Sequence, residues 1–294
     1  MYPNILDLIG NTPLVVSKVL NTNPKVTLLF KLEGNNPGGS VKDRAAYNMI
    51  KSALERGDIT KKTKLIEATS GNTGIALAMI AGIYGLDIEL VMPENSTIER
   101  IQTMRAYGAK VTLTSEAVGI EGARDYAEKQ VANGAFLLNQ FANDDNWKAH
   151  YKTTGPEIWR DTHKEITHFV SAMGTTGTIM GTSTYLKEKN SDIQIVGVQP
   201  KDGAKIPGIR KWPEAYLPKI FNASKIDKIM EVSQKQAEET AVRLATEEGV
   251  FSGISSGGAA YAAIQLANSL ESGTIVSIIC DRGDRYLSSG LFDK

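Results

Sequence analysis

The sequence predicts an α/β fold built as two open, doubly wound lobes. Short runs rich in β-branched residues alternate with longer amphipathic segments from Pro37 onward. Most of the short runs are unbroken apolar stretches, as expected of parallel strands covered by helices on both faces. The length of 294 residues exceeds what one small core needs and suits two lobes.

Strands are expected at 64–68, 87–92, 110–114, 135–139, 166–172, 192–198, 228–232 and 274–280. Helices are expected between them, among others at 43–56, 98–107, 121–132 and 234–248. The first puts Ala46, Met49, Ile50, Ala53 and Leu54 on one face and stops at Gly57. No internal repeat or low-complexity linker interrupts the alternation. A polar run at 143–146 is the expected seam, giving a smaller mobile lobe of 36–145 and a larger one of 1–35 with 146–294.

Lys plus Arg (33) balances Asp plus Glu (33), so no net field favours nucleic acid or an anionic membrane. A small-molecule substrate or a protein partner is left. No apolar run approaches the ~20 residues of a membrane helix, and residues 1–10 lack the basic start of a signal peptide. Cys280 stands alone, and His150, His163 and His168 lack the spacing of a helical metal pair. The expectation is a soluble, cytoplasmic protein without a metal.

Ligands of open α/β sheets bind beyond the carboxyl ends of the strands, and four loops there carry chemistry. Gly34 to Arg44 has glycines at Walker spacing, but Ser40-Val41 follows where Lys-Ser/Thr is required, so an ATP loop is excluded. Lys42 stands at a helix start, whose partial positive charge disfavours an ammonium. A neutral amine is what Schiff-base chemistry needs, yet a lysine beside a helix start is more often a solvated surface group. Thr69-Ser70-Gly71-Asn72-Thr73-Gly74 opens an apolar helix with more small polar residues than a cap requires, which suits a carboxylate or phosphate. Gly174-Thr175-Thr176-Gly177-Thr178 fails the dinucleotide spacing, and Gln199 stands where an NAD site wants an acid. A phosphate-monoester cup fits it better, with a plain tight turn as the alternative. Gly253 to Gly258, holding Ser255, precedes an alanine-rich helix. Cys280, at the end of the last strand, reads most simply as a small buried apolar side chain.

Taken together, these loops resemble the β family, or fold type II, of pyridoxal-phosphate enzymes, and within it the cysteine synthases. The likeness is collinear through 9–14, 40–44, 69–74, Thr153 to Trp159, the Gly174 loop, 253–257 and 284–288. It implies a tryptophan-synthase-β-like fold with Lys42 holding pyridoxal 5'-phosphate and carrying the Cα proton. It further implies Asn72 at the cofactor's phenolic oxygen, Gly174, Thr175, Thr176, Gly177 and Thr178 at its phosphate, and Ser255 at the pyridine nitrogen. Thr69, Ser70, Gly71, Thr73 and Gln140 would hold the substrate carboxylate. The implied reaction replaces the acetoxy group of O-acetyl-L-serine with sulfide, releasing acetate through an α-aminoacrylate. Serine/threonine dehydration and cystathionine-type β-replacement are the alternatives on the same fold. The segments 206–213 and 279–284 are similar to the B type of the family, which also accepts thiosulfate to give S-sulfocysteine and commonly forms homodimers. Arg210 would then meet a larger anionic donor; Lys211 stands where a second arginine is common. Gly39, where the B type commonly has alanine, is expected only to loosen its turn.

Overall fold

The computed structural model describes residues 1–69 and 71–293, and all counts and absences below refer to these. Its strands are β1 (Leu14–Val16), β2 (Val26–Leu32), β3 (Lys64–Ala68), β4 (Asp87–Pro93), β5 (Lys110–Thr114), β6 (Phe136–Leu137), β7 (His168–Ala172), β8 (Gln194–Pro200), β9 (Lys228–Val232) and β10 (Gly273–Ile279). Its helices are α1 (Lys42–Arg56), α2 (Asn72–Tyr84), α3 (Ile98–Ala106), α4 (Gly119–Ala132), α5 (Asp144–Lys152), α6 (Thr154–Asp161), α7 (Gly177–Lys189), α8 (Gln234–Glu248) and α9 (Ile254–Ser269).

The strands form two sheets, as the alternation predicts. The larger has the order β1-β2-β10-β7-β8-β9 and the smaller β5-β4-β3-β6. Every pairing is parallel except that of β1 with β2. Successive side chains of a strand point to opposite faces, and here both faces are buried. Leu28 and Phe30 enter one core of the larger sheet, Leu29 the other. Leu65 and Ile66 divide in the same way across the smaller sheet. α2 lies inside the smaller unit and is buried without a break from Thr73 to Ala81, so its all-round apolar sequence is that of a core helix.

Local signals account for most boundaries. α1 ends at Gly57, left-handed at φ 79, whose N–H bonds Ala53 and Leu54 carbonyls. α8 starts with a capping box between Ser233 and Gln236. Two expectations change. β1 and β2 precede Pro37, where no strand is expected, and β2 is a central strand of the larger sheet. The strand expected at 135–139 shrinks to Phe136–Leu137, because Asn139 turns to φ 55 and donates its N–H to Glu67 at 3.1 Å. The polar run at 143–146 lies between β6 and α5 and leads into that helix, with Asn143 as its cap accepting from the Asp145 N–H.

Candidate active site

The loops at the carboxyl ends of both sheets close on one cavity of about 220 Å³. Lys42, Thr69, Gly71, Asn72, Thr73, Gln140, Gly174, Thr175, Thr176, Thr178, Arg210 and Ser255 all line it. Of the expected site residues that are described, only Gly177 is missing from this wall. Gly177 lies behind it as the first residue of α7, and Ser70 falls outside the described residues.

Lys42 begins α1, and its own N–H donates to Ser40 Oγ at 3.2 Å. The preceding loop is stitched to the end of β10: the Val41 N–H donates to the Cys280 carbonyl at 2.8 Å, and Ser40 bridges Asp281. Gly39 takes φ 81 and faces the Arg285 guanidinium, with which a Cβ would collide. That corrects the expectation of a merely looser turn, since this conformation and this contact both call for glycine. Behind the lysine, Arg44 is buried with ion pairs of 2.7 Å to Glu33 and 2.7 Å to Glu157, while Lys31 reaches Glu157 at 2.9 Å. Burial alone would raise the Glu157 carboxyl; Arg44 and Lys31 outweigh it and hold it at about 2.

The second loop turns Thr73 toward Gln140, its hydroxyl donating to Oε1 at 2.8 Å. Both side chains are buried in the wall. Asn146 links this side to the phosphate cup, donating to the Gln140 carbonyl at 2.7 Å and to Thr175 Oγ1 at 3.1 Å. In the cup Thr176 is left-handed at φ 71, and its buried hydroxyl lacks a protein partner. A Cβ on Gly174 would lie 2.8 Å from the Gly208 carbonyl. An orphaned hydroxyl, a glycine-lined cradle and the N-terminus of α7 form a donor set suited to a phosphate. Beneath it His150 meets Thr178 at 3.3 Å and Thr154 at 2.8 Å. Burial, then the charge of Arg44, push its pKa down to about 3, so the ring is neutral.

Ser255 sits in the first turn of α9, against Gly208. Cys280 also lines the cavity. Burial and the neighbouring Asp281 push its thiol up to about 11, so it stays protonated at neutral pH. Arg210 does not act with Lys211, which ion-pairs with Asp202 at 2.7 Å and Glu231 at 2.8 Å and is absent from the cavity wall. A second guanidinium comes from elsewhere. Arg124 of α4 lies over the Phe141 ring at 5.0 Å and Arg210 over Trp212 at 5.5 Å. The two rings meet edge-on at 5.4 Å.

Sequence reasoning assigns no role to Arg124, Asn146, Asp281 or Arg285. The run 284–288 is a family signal, but nothing local says what Arg285 touches.

Fold and cavity together define a class, and residues 5–281 match the family described as pyridoxal-phosphate dependent enzyme. The chain belongs to that family, and its cofactor is pyridoxal 5'-phosphate. Within the family it is 59% identical over 293 residues to cysteine synthase B of Pseudomonas aeruginosa, covering 99% of this chain and 98% of that protein. Against cysteine synthase B of Salmonella typhimurium the identity is 55% over 287 residues, covering 97% and 95%. The structure is similar to that of a cysteine synthase from Entamoeba histolytica, with a TM-score of 0.95 and 36% identity over 100% of this chain and 91% of that one.

Proposed function

We propose that this enzyme makes cysteine by β-replacement, exchanging the acetoxy group on Cβ of O-acetyl-L-serine for sulfide and releasing it as acetate. The observation that carries the reading is the convergence of Lys42, the 69–74 loop, the Gly174 cup and Ser255 on one cavity. Bound there, the cofactor supplies an electron sink next to the substrate's Cα. Lys42 anchors it and moves the proton at Cα, taking it as acetate departs and returning it once sulfur has added. Asn72 meets the cofactor's phenolic oxygen. Gly174 to Thr178 hold the phosphate through N–H groups and the Thr176 hydroxyl. Thr69, Ser70, Gly71, Thr73 and Gln140 hold the substrate carboxylate, and the Thr73–Gln140 bond prepares two of them. Ser255 meets the pyridine nitrogen as a neutral hydroxyl. Unlike a carboxylate, it does not enforce protonation of the ring, which weakens the sink and favours departure at Cβ over transamination.

Thiosulfate is the second sulfur donor. Arg210 and Arg124, both in the cavity wall, provide two guanidiniums for a dianion. The working unit is a cytoplasmic homodimer of chains with a smaller mobile lobe at 36–145. Support for the dimer comes from β1, an edge strand whose Val15 and Val16 are exposed, near the start of a chain that also exposes Tyr2, Ile5 and Leu8.

The test is direct. Incubated with O-acetylserine and sulfide, the yellow holoenzyme should form cysteine and acetate, and a Lys42→Ala variant should lose both colour and turnover. Pyruvate or 2-oxobutyrate from serine or threonine, without cysteine, would move the assignment to a dehydratase.

A further inference from the structure

Asn72 opens α2 and lines the cavity beside Lys42. Its amide is gripped by two residues that follow β10. Asn72 Nδ2 donates to Asp281 Oδ2 at 2.7 Å, and Arg285 Nη1 donates to Asn72 Oδ1 at 2.9 Å. A carboxylate accepts only and a guanidinium donates only, so these neighbours dictate which end of the amide is which. The reversed amide would set oxygen against carboxylate and N–H against guanidinium at once.

Both neighbours are themselves pinned. Asp281 Oδ1 accepts from the Gly253 N–H at 3.2 Å and from Ser256 Oγ at 3.4 Å, and Oδ2 accepts from the Tyr286 hydroxyl at 2.7 Å. Arg285 donates to the carbonyls of Gly38 and Gly39 in the lysine loop. Asn72 Nδ2 is left with one hydrogen, which has no protein partner among the described residues.

We infer that Asp281 and Arg285 are positioning residues that hold Asn72 as a hydrogen-bond donor toward the cofactor's phenolic oxygen. This rests on the reading that Asn72 faces the cofactor. A donor at that oxygen favours its ionised form and keeps the proton on the nitrogen joining Lys42 to the cofactor, the form that absorbs visible light. An acceptor there would draw the proton back to oxygen and move the absorption toward the near ultraviolet.

The experiment compares native holoenzyme with Asp281→Asn and Asn72→Asp, reading the visible band against pH and the dissociation constant of pyridoxal phosphate. In Asp281→Asn, Gly253 and Ser256 keep the amide oxygen on their side, so the new NH2 group confronts that of Asn72. The expected result is roughly tenfold weaker cofactor binding, about the worth of one charge-assisted hydrogen bond, with visible absorbance yielding to near-ultraviolet. Asn72→Asp should show both effects at least as strongly. A native band and native affinity in Asp281→Asn, with both lost in Asn72→Asp, would overturn the positioning role while leaving the Asn72 contact intact. Native behaviour in Asn72→Asp would remove that contact, and the inference with it. If Asp281→Asn does not fold, the native enzyme decides through the Asn72 side-chain amide resonance, identified by its loss in Asn72→Asp. Cofactor removal should shift one of its two protons and spare the other; movement of both, or of neither, overturns the inference.

Discussion

Asp43 follows Lys42 with its carboxyl buried, one oxygen accepting from the Gly38 N–H at 2.5 Å and the other without a partner. Burial pushes its pKa from 3.8 up to about 7. The folded chain therefore keeps a proton that the unfolded chain releases above about pH 4. The stability this group contributes is full below that pH and is lost as pH rises through 7. Asp43→Asn, neutral throughout, should flatten the fall in unfolding free energy between pH 5 and pH 8. It should gain up to a few kcal/mol at pH 8, read by urea denaturation. Glu157 has the opposite sign: held at about 2, its contribution is present above about 4.5 and disappears as pH falls toward 2. Removing its partner in Arg44→Met leaves Glu33 and Glu157 buried without that charge. It should cost about 3–5 kcal/mol in the same denaturation assay. The three glycine- and hydroxyl-rich loops were legible in the sequence because each is a local pattern at a helix start, whereas Lys42 read locally as a solvated surface group and stood out only through the order of the motifs around it. Asp281, Arg285 and Asn146 were not, since what they touch lies far away along the chain: Asp281 meets Asn72, and Asn146 meets Thr175.

Glycines decide how closely the helices of the larger unit approach. A Cβ on Gly181 would collide with the Trp147 carbonyl of α5, and one on Gly257 with the Ala237 carbonyl of α8. Gly257→Ala should force α8 and α9 apart and destabilise the fold by about 1–3 kcal/mol, as a shifted midpoint in chemical denaturation. Among the elements, α8 fits its expected span because its box and amphipathic repeat are both local. β3 and β5 fit theirs as short β-branched runs bounded by turns. β6 fell short for a reason no periodicity carries, namely that Glu67 captures the Asn139 N–H from a neighbouring strand.

At the scale of the whole molecule, two parallel sheets were legible from the alternation of strands and helices. Their strand order was not, because β2 and β10 pair across almost the entire chain, with Val26 opposite Gly273. The antiparallel β1 at the sheet edge, with Val15 and Val16 exposed, belongs to the same blind spot. If this edge is the dimer face, a Val16→Glu substitution there should convert a dimer of about twice the 31.8 kDa chain mass into monomers in light-scattering chromatography.

The position of β10 has a consequence for how the protein comes into being. The smaller sheet draws on one stretch, from β3 to β6, and can assemble as soon as that stretch leaves the ribosome. The larger sheet cannot, because β10 fills the place between β2 and β7. Until β10 is translated, β2 waits with an open hydrogen-bonding edge and Asn72 waits without Asp281. Formation of the cavity thus waits for β10, and a chain broken off before that strand leaves the larger sheet in two pieces.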